Sequence, residues 1–190
     1  MRFKMSAIAC LVLGAPALML LGSNANAEEF SATFSGFEEV GALNNETGAI
    51  LSDAKATLTL NLDRAARMVT YKLTYSGFVG NIAPVVTQSH IHFGKRHVPG
   101  GIMVFLCTNL AGGPAGTPAC PSTAGTVTGM IVAGSVQAIP GQNVSAGDFD
   151  ALQDALDSDT AYGNIHTQGF PRGEIRGQVR RHDDDDHKGH

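Results

Sequence analysis

The sequence predicts an all-β domain, a Greek-key-like β-sandwich or barrel of about 7–8 short strands with one short helix. Three observations predict it. Apolar residues alternate with period two over several short segments, clusters of Gly, Pro and Asn separate those segments, and a single stretch shows helical spacing.

Taken in chain order, residues 1–27 have the three parts of a secretory signal peptide: Arg2 and Lys4, an apolar run over 7–21, and Ala25-Asn26-Ala27 as a cleavage motif. Cleavage after Ala27 would send the chain to the periplasm or the medium. The apolar run is shorter than the roughly 20 residues a membrane span requires, and no other stretch comes closer, so no membrane anchor is expected. Cys10 lies inside this run and reads as an ordinary apolar residue of the leader.

Residues 28–181 then form the expected β domain. The stretch 30–37, FSATFSGF, begins the alternation, and 48–62 continues it with Ala54, Ala56, Leu58, Leu60 and Leu62 on one face. The polar link 63–67 leads into 68–75, where Val69, Tyr71, Leu73 and Tyr75 alternate with polar neighbours, so the two segments read as a β-hairpin. Further strands are expected at 89–93, 101–107, 125–132, 162–167 and 174–180. A helix is expected at 145–157, with Ser145 as N-cap and Phe149, Leu152 and Leu156 as its apolar stripe. The acidic and histidine-rich tail 182–190 is too polar to fold by burial and is expected to be disordered.

Removing 27 of 190 residues leaves 163, enough for one domain with its own core. The loss of Arg2 and Lys4 leaves 11 of the 13 basic residues against 17 acidic ones, a formal charge of −6. Nucleic acid is thereby excluded as an expected partner, because phosphate recognition needs a basic surface. Two cysteines survive processing, Cys107 and Cys120, and an even pair in an oxidising compartment reads as a disulfide. The segment between them, TNLAGGPAGTPA, cannot hold one shape unaided. Closing a loop of this size is worth about 3 kcal/mol.

The chemistry concentrates in a few polar positions. His90-Ile91-His92 on a strand places both imidazoles on one face, which is half of a metal site. Asn164-Ile165-His166-Thr167 repeats the arrangement, and Glu174-Ile175-Arg176 follows the same rule, apolar inward and polar outward. If the three strands are neighbours, His90, His92 and His166 converge on one ion, with Glu174 near enough to hydrogen-bond a ligand or to coordinate. Neutral imidazoles in an exported protein make copper or zinc the expected metal. The alternative is a buried polar network in which the histidines bond to Glu174 or Thr167. His97, in the loop KRHVPGG, reads as surface exposed. Glu174 and Arg176 share a face and are expected to pair with each other or across to a neighbouring strand. No GxSxG elbow, free mature cysteine or phosphate-binding loop supports nucleophilic catalysis.

Together, SHIHFG at 89–94, PGGIMVFLC at 99–107, YGNIHT at 162–167 and GEIRGQV at 173–179 resemble the chordin-type (CHRD) domain family over about residues 29–180. The resemblance implies an extracellular β domain, present in animal chordins that bind bone-morphogenetic growth factors and as single domains in secreted bacterial proteins. A leader followed by a lone domain looks like the bacterial form, so growth-factor binding does not carry over. Where relatives have a second glycine before the glutamate, this chain has Arg172-Gly173-Glu174. The HxH is also similar to that of copper-zinc superoxide dismutases, but no histidine lies between His97 and His166 to supply a bridging ligand. Three functions follow in order: an exported metal-binding module, an envelope domain that binds a protein or polysaccharide without metal, and a copper redox enzyme. The first two do not involve catalysis.

Overall fold

The computed structural model describes residues 27–40, 48–83 and 85–182. The leader up to Asn26 and the tail from Asp183 lie outside the described residues.

Nine strands and one α-helix are described: β1 (Glu28–Phe34), β2 (Lys55–Asp63), β3 (Met68–Ser76), β4 (Val86–Phe93), β5 (Gly101–Thr108), β6 (Gly125–Ile131), α1 (Phe149–Asp157), β7 (Ala161–Thr167), β8 (Ile175–Gln178) and β9 (Arg180–Arg181). They build two antiparallel sheets, ordered β6-β3-β2-β1-β9 and β5-β4-β7-β8. The β2–β3 hairpin expected from the alternation is present, running in register from Lys55 opposite Ser76 to Asp63 opposite Met68. Its inward residues, Leu58, Leu60, Leu62, Val69 and Leu73, are fully buried. Each contributes about 1.5–3 kcal/mol by leaving water. Phe30 and Phe34 of β1 join them, and Ile91, Val104, Ile165 and Ile175 are the second sheet's share of the same core.

Of the two expected architectures, sandwich and barrel, the sandwich is formed. On one side the sheets are stitched together: Ser35 and Arg176 exchange two backbone hydrogen bonds, and the chain passes from β8 through buried Val179 into β9, which pairs with β1. On the other side β5 and β6 are not paired. A groove of about 390 Å³ separates them, lined among others by Tyr71, Phe105, Pro118, Thr128 and Met130. The disulfide Cys107–Cys120 closes the loop beside this groove. Asn109 holds the loop from within, its amide donating to the carbonyls of Val86 and Cys120.

Element boundaries differ from expectation in places that have physical causes. The first strand ends at Phe34, not 37, because a 3₁₀ turn over Gly36–Glu38 carries Phe37 into solvent. Gly36 permits this turn, since a Cβ there would lie 2.1 Å from the carbonyl oxygen of Ile50. The expected strand at 174–180 is split between the two sheets. The helix starts four residues later than Ser145: Gly147 sits at φ +81°, which breaks the helical path, and Asp148 is the N-cap, accepting from the Ala151 amide at 3.1 Å. Phe149, Leu152 and Leu156 are buried as the spacing indicated.

The polar face of the second sheet departs furthest from expectation. The alternation suggested that it points outward, yet all seven residues of β7 are buried, and so are His90 and His92 of β4. The loop 94–100 and the turn carrying Pro171 fold back over this face and bond to its side chains. The second sheet is therefore covered on both sides.

Candidate metal centre

The centre is assembled by strand pairing. β4 and β7 lie side by side with Gln88 opposite His166, His90 opposite Asn164 and His92 opposite Tyr162. Because side chains alternate, these residues share one face, and His166 is a diagonal neighbour of His90. On the other flank of β4, β5 carries an extra residue at Leu106 and again at Met103. Such bulges re-aim side chains. Here they bring Phe105 edge-on to His90, with ring centroids 4.4 Å apart.

One nitrogen from each of His90, His92 and His166 lies within 4.8 Å of the others. The histidine set named from the sequence is thus brought together. Two of the rings are fixed by the backbone: Nδ1 of His92 donates to the Gly100 carbonyl at 2.9 Å, and Nδ1 of His166 to the Pro171 carbonyl at 3.0 Å. A carbonyl only accepts, so in both neutral rings the proton is on Nδ1 and the lone pair on Nε2. The two Nε2 atoms converge on Asn164, each 3.1 Å from Oδ1. His90 Nδ1 lies 3.2 Å from His166 Nε2, and His90 Nε2 is buried without a partner among the described residues.

Burial keeps these rings neutral. Loss of solvent pushes His90 down to about 2 and His92 down to about 4, and it lowers His166 as well. His166 adds repulsion against a charge on either neighbour, and Arg176 adds it against His92. Neutral rings with fixed tautomers are ready metal ligands, because no proton need be displaced from Nε2.

A second layer holds the rings in place. Tyr162 stacks on His92, centroids 4.7 Å apart and planes within 4°, and the guanidinium carbon of Arg176 lies 3.4 Å from the Tyr162 centroid on a ring already engaged. Arg176 also donates to the carbonyls of Lys95 and Val98, and Gly100 N–H donates to the Tyr162 hydroxyl at 3.1 Å. The loop 94–100 is thereby strapped to the site. Gly100 is required there, since a Cβ would meet the Phe93 carbonyl oxygen at 1.8 Å.

Glu174 is placed elsewhere. Its two oxygens accept from the Ser52 and Thr167 hydroxyls, each at 2.7 Å, so it neither bonds a histidine nor faces Arg176, and its tie to Thr167 is the cross-strand pairing that the sequence allowed. Thr167 likewise serves this pair rather than the histidines. His97 is exposed and bonds to Glu38, outside the cluster. Tyr162 was not singled out from the sequence, although its place two residues before Asn164 was a usable signal. Gly100 and Pro171 act through main-chain oxygens, for which a sequence carries no mark. Glu39 was also missed: it is buried, its Oε2 has no partner among the described residues, and desolvation pushes its carboxyl up to about 7.

Set against known proteins, residues 30–179 match the family model described as the CHRD domain. No curated protein and no solved structure matches the chain.

Proposed function

The chain belongs to the CHRD domain family, and on that premise we propose that it is an exported metal-binding module that holds one copper or zinc ion through His90, His92 and His166. The observation that carries this reading is the pair of backbone carbonyls, Gly100 and Pro171, that turn the Nε2 lone pairs of His92 and His166 toward a common point. Imidazole orientation by carbonyl acceptors is what metal-binding histidines ordinarily require. Export to the periplasm or the medium is supported by the leader pattern at 1–27 and by a disulfide suited to an oxidising compartment.

Elemental analysis of the exported protein after dialysis against a weak chelator tests the proposal, with His92→Ala alongside. Near-stoichiometric copper or zinc is expected in the parent and its loss in the variant. Protein that leaves the cell metal-free and then refuses both ions would overturn it.

A second reading is favoured by one feature of the same cluster. If the Asn164 amide presents Nδ2 to the rings in place of Oδ1, its two hydrogens satisfy both Nε2 lone pairs without an ion. The histidines then form an internal network of an envelope domain that engages a protein or polysaccharide. On this reading His92→Ala lowers stability and metal is never taken up.

A further inference from the structure

We infer that Asn164 Oδ1 is a direct fourth ligand of the ion, so that the centre is closed, holds a divalent metal and leaves no coordination position for a substrate. This rests on the metal reading above and specifies the chemistry of that site.

Three observations carry it. The first is polarity. His92 and His166 aim lone pairs at Asn164, and Oδ1 aims its own lone pairs back from 3.1 Å. Three acceptors facing one point repel one another unless positive charge lies between them. An ion held among the three atoms supplies that charge and turns the facing lone pairs into bonds.

The second is spacing. Ligands about 2.0–2.1 Å from one ion lie about 3–3.4 Å apart between right-angled and tetrahedral geometry. Three of the six edges of the donor set, Oδ1 to His92 Nε2, Oδ1 to His166 Nε2 and His166 Nε2 to His90 Nδ1, measure 3.1, 3.1 and 3.2 Å, and the three histidine nitrogens lie within 4.8 Å of one another, so the rings draw in slightly around the ion. Asn164 sits directly opposite His90 on the paired strand, so its side chain reaches this position without distorting the backbone.

The third is enclosure. His90 is 0% exposed and His92 and His166 are each 7% exposed, with Phe105 against one ring and Tyr162 against another. Three imidazole nitrogens and one amide oxygen complete four-coordination, the arrangement of a held ion rather than of an open catalytic one. An oxygen donor in the set also favours zinc or copper(II) over copper(I).

The test uses cobalt(II) as a spectroscopic stand-in for zinc in the full chain, with azide as a small competing ligand and with Asn164→Ala and the isosteric Asn164→Asp. In the parent, the visible absorption of four-coordinate cobalt is expected, unchanged by azide. Asn164→Ala should bind cobalt at least about tenfold more weakly and become azide-responsive, while Asn164→Asp, which retains an oxygen in place, should keep the closed spectrum. If azide alters the parent spectrum, or if Asn164→Ala binds like the parent, Asn164 is not a ligand and the three-histidine centre stands without it. If the parent takes up neither cobalt, zinc nor copper, the metal centre itself falls, and this inference with it.

Discussion

Glu39 is a carboxyl placed where it is most comfortable uncharged. It is buried beside Gly173, where a Cβ would come within 2.4 Å of Oε2, and among the described residues only the Val40 amide donates to it. A carboxyl raised from 4.5 to about 7 by desolvation keeps its proton in the fold more readily than in the unfolded chain. The stability it contributes is present below pH 4.5 and is lost as the pH rises to about 7. Glu39→Gln, which has no charge to form, should therefore match the parent at pH 4 and exceed it by about 3 kcal/mol at pH 8, as read by denaturant unfolding at both pH values. An equal difference at both would mean that the carboxylate is ionised and satisfied. The histidines act in the opposite direction: with their folded values depressed, they cost stability as the pH falls below about 6.5. At this scale the sequence was legible wherever alternation and residue type agreed, as in His90, His92, Asn164 and His166. Glu39 was not legible, because nothing in GFEEV distinguishes a buried glutamate from its half-buried neighbour, and its burial depends on a glycine more than 130 positions away.

Helix α1 shows how far an element can be read from its own residues. Its apolar stripe was visible because Phe149, Leu152 and Leu156 recur at helical spacing, but its start was set by Gly147, whose positive φ is a property of the folded turn. Removing the true cap by Asp148→Ala should lower stability by about 1 kcal/mol, whereas Ser145→Ala should leave it nearly unchanged. Thermal unfolding of both variants decides between the two positions, and the reverse order would return the cap to Ser145. The strands divide in the same way. β2 and β3 alternate cleanly because one face meets the core and the other meets solvent, so the hairpin was legible to its register. β7 is buried along its whole length, and its polar residues looked outward-facing only because the loops that cover them cannot be inferred from the strand. Splitting of the last strand between two sheets was hidden for a related reason: Val179 suits either sheet, and the pairing of Arg180 and Arg181 with β1 is a long-range choice.

At the scale of the molecule, the sandwich is stitched along one side and open along the other, and the Cys107–Cys120 bridge lies at the open side. Replacing both cysteines by serine should cost about 3 kcal/mol of stability while leaving the uptake of the proposed metal intact, because the histidines are carried by β4 and β7. Loss of the metal together with the bridge would show instead that the groove side and the centre unfold as one unit. The stitched side carries a further consequence. Glu28 at the start of β1 and Arg181 at the end of β9 are joined by an ion pair, and Arg64 and Asp157 complete a ring of four charges around them. The described domain is thus entered and left at one place. A body with its two ends side by side can be set into a loop of a host protein, or strung in series with its own copies, without prising its neighbours apart.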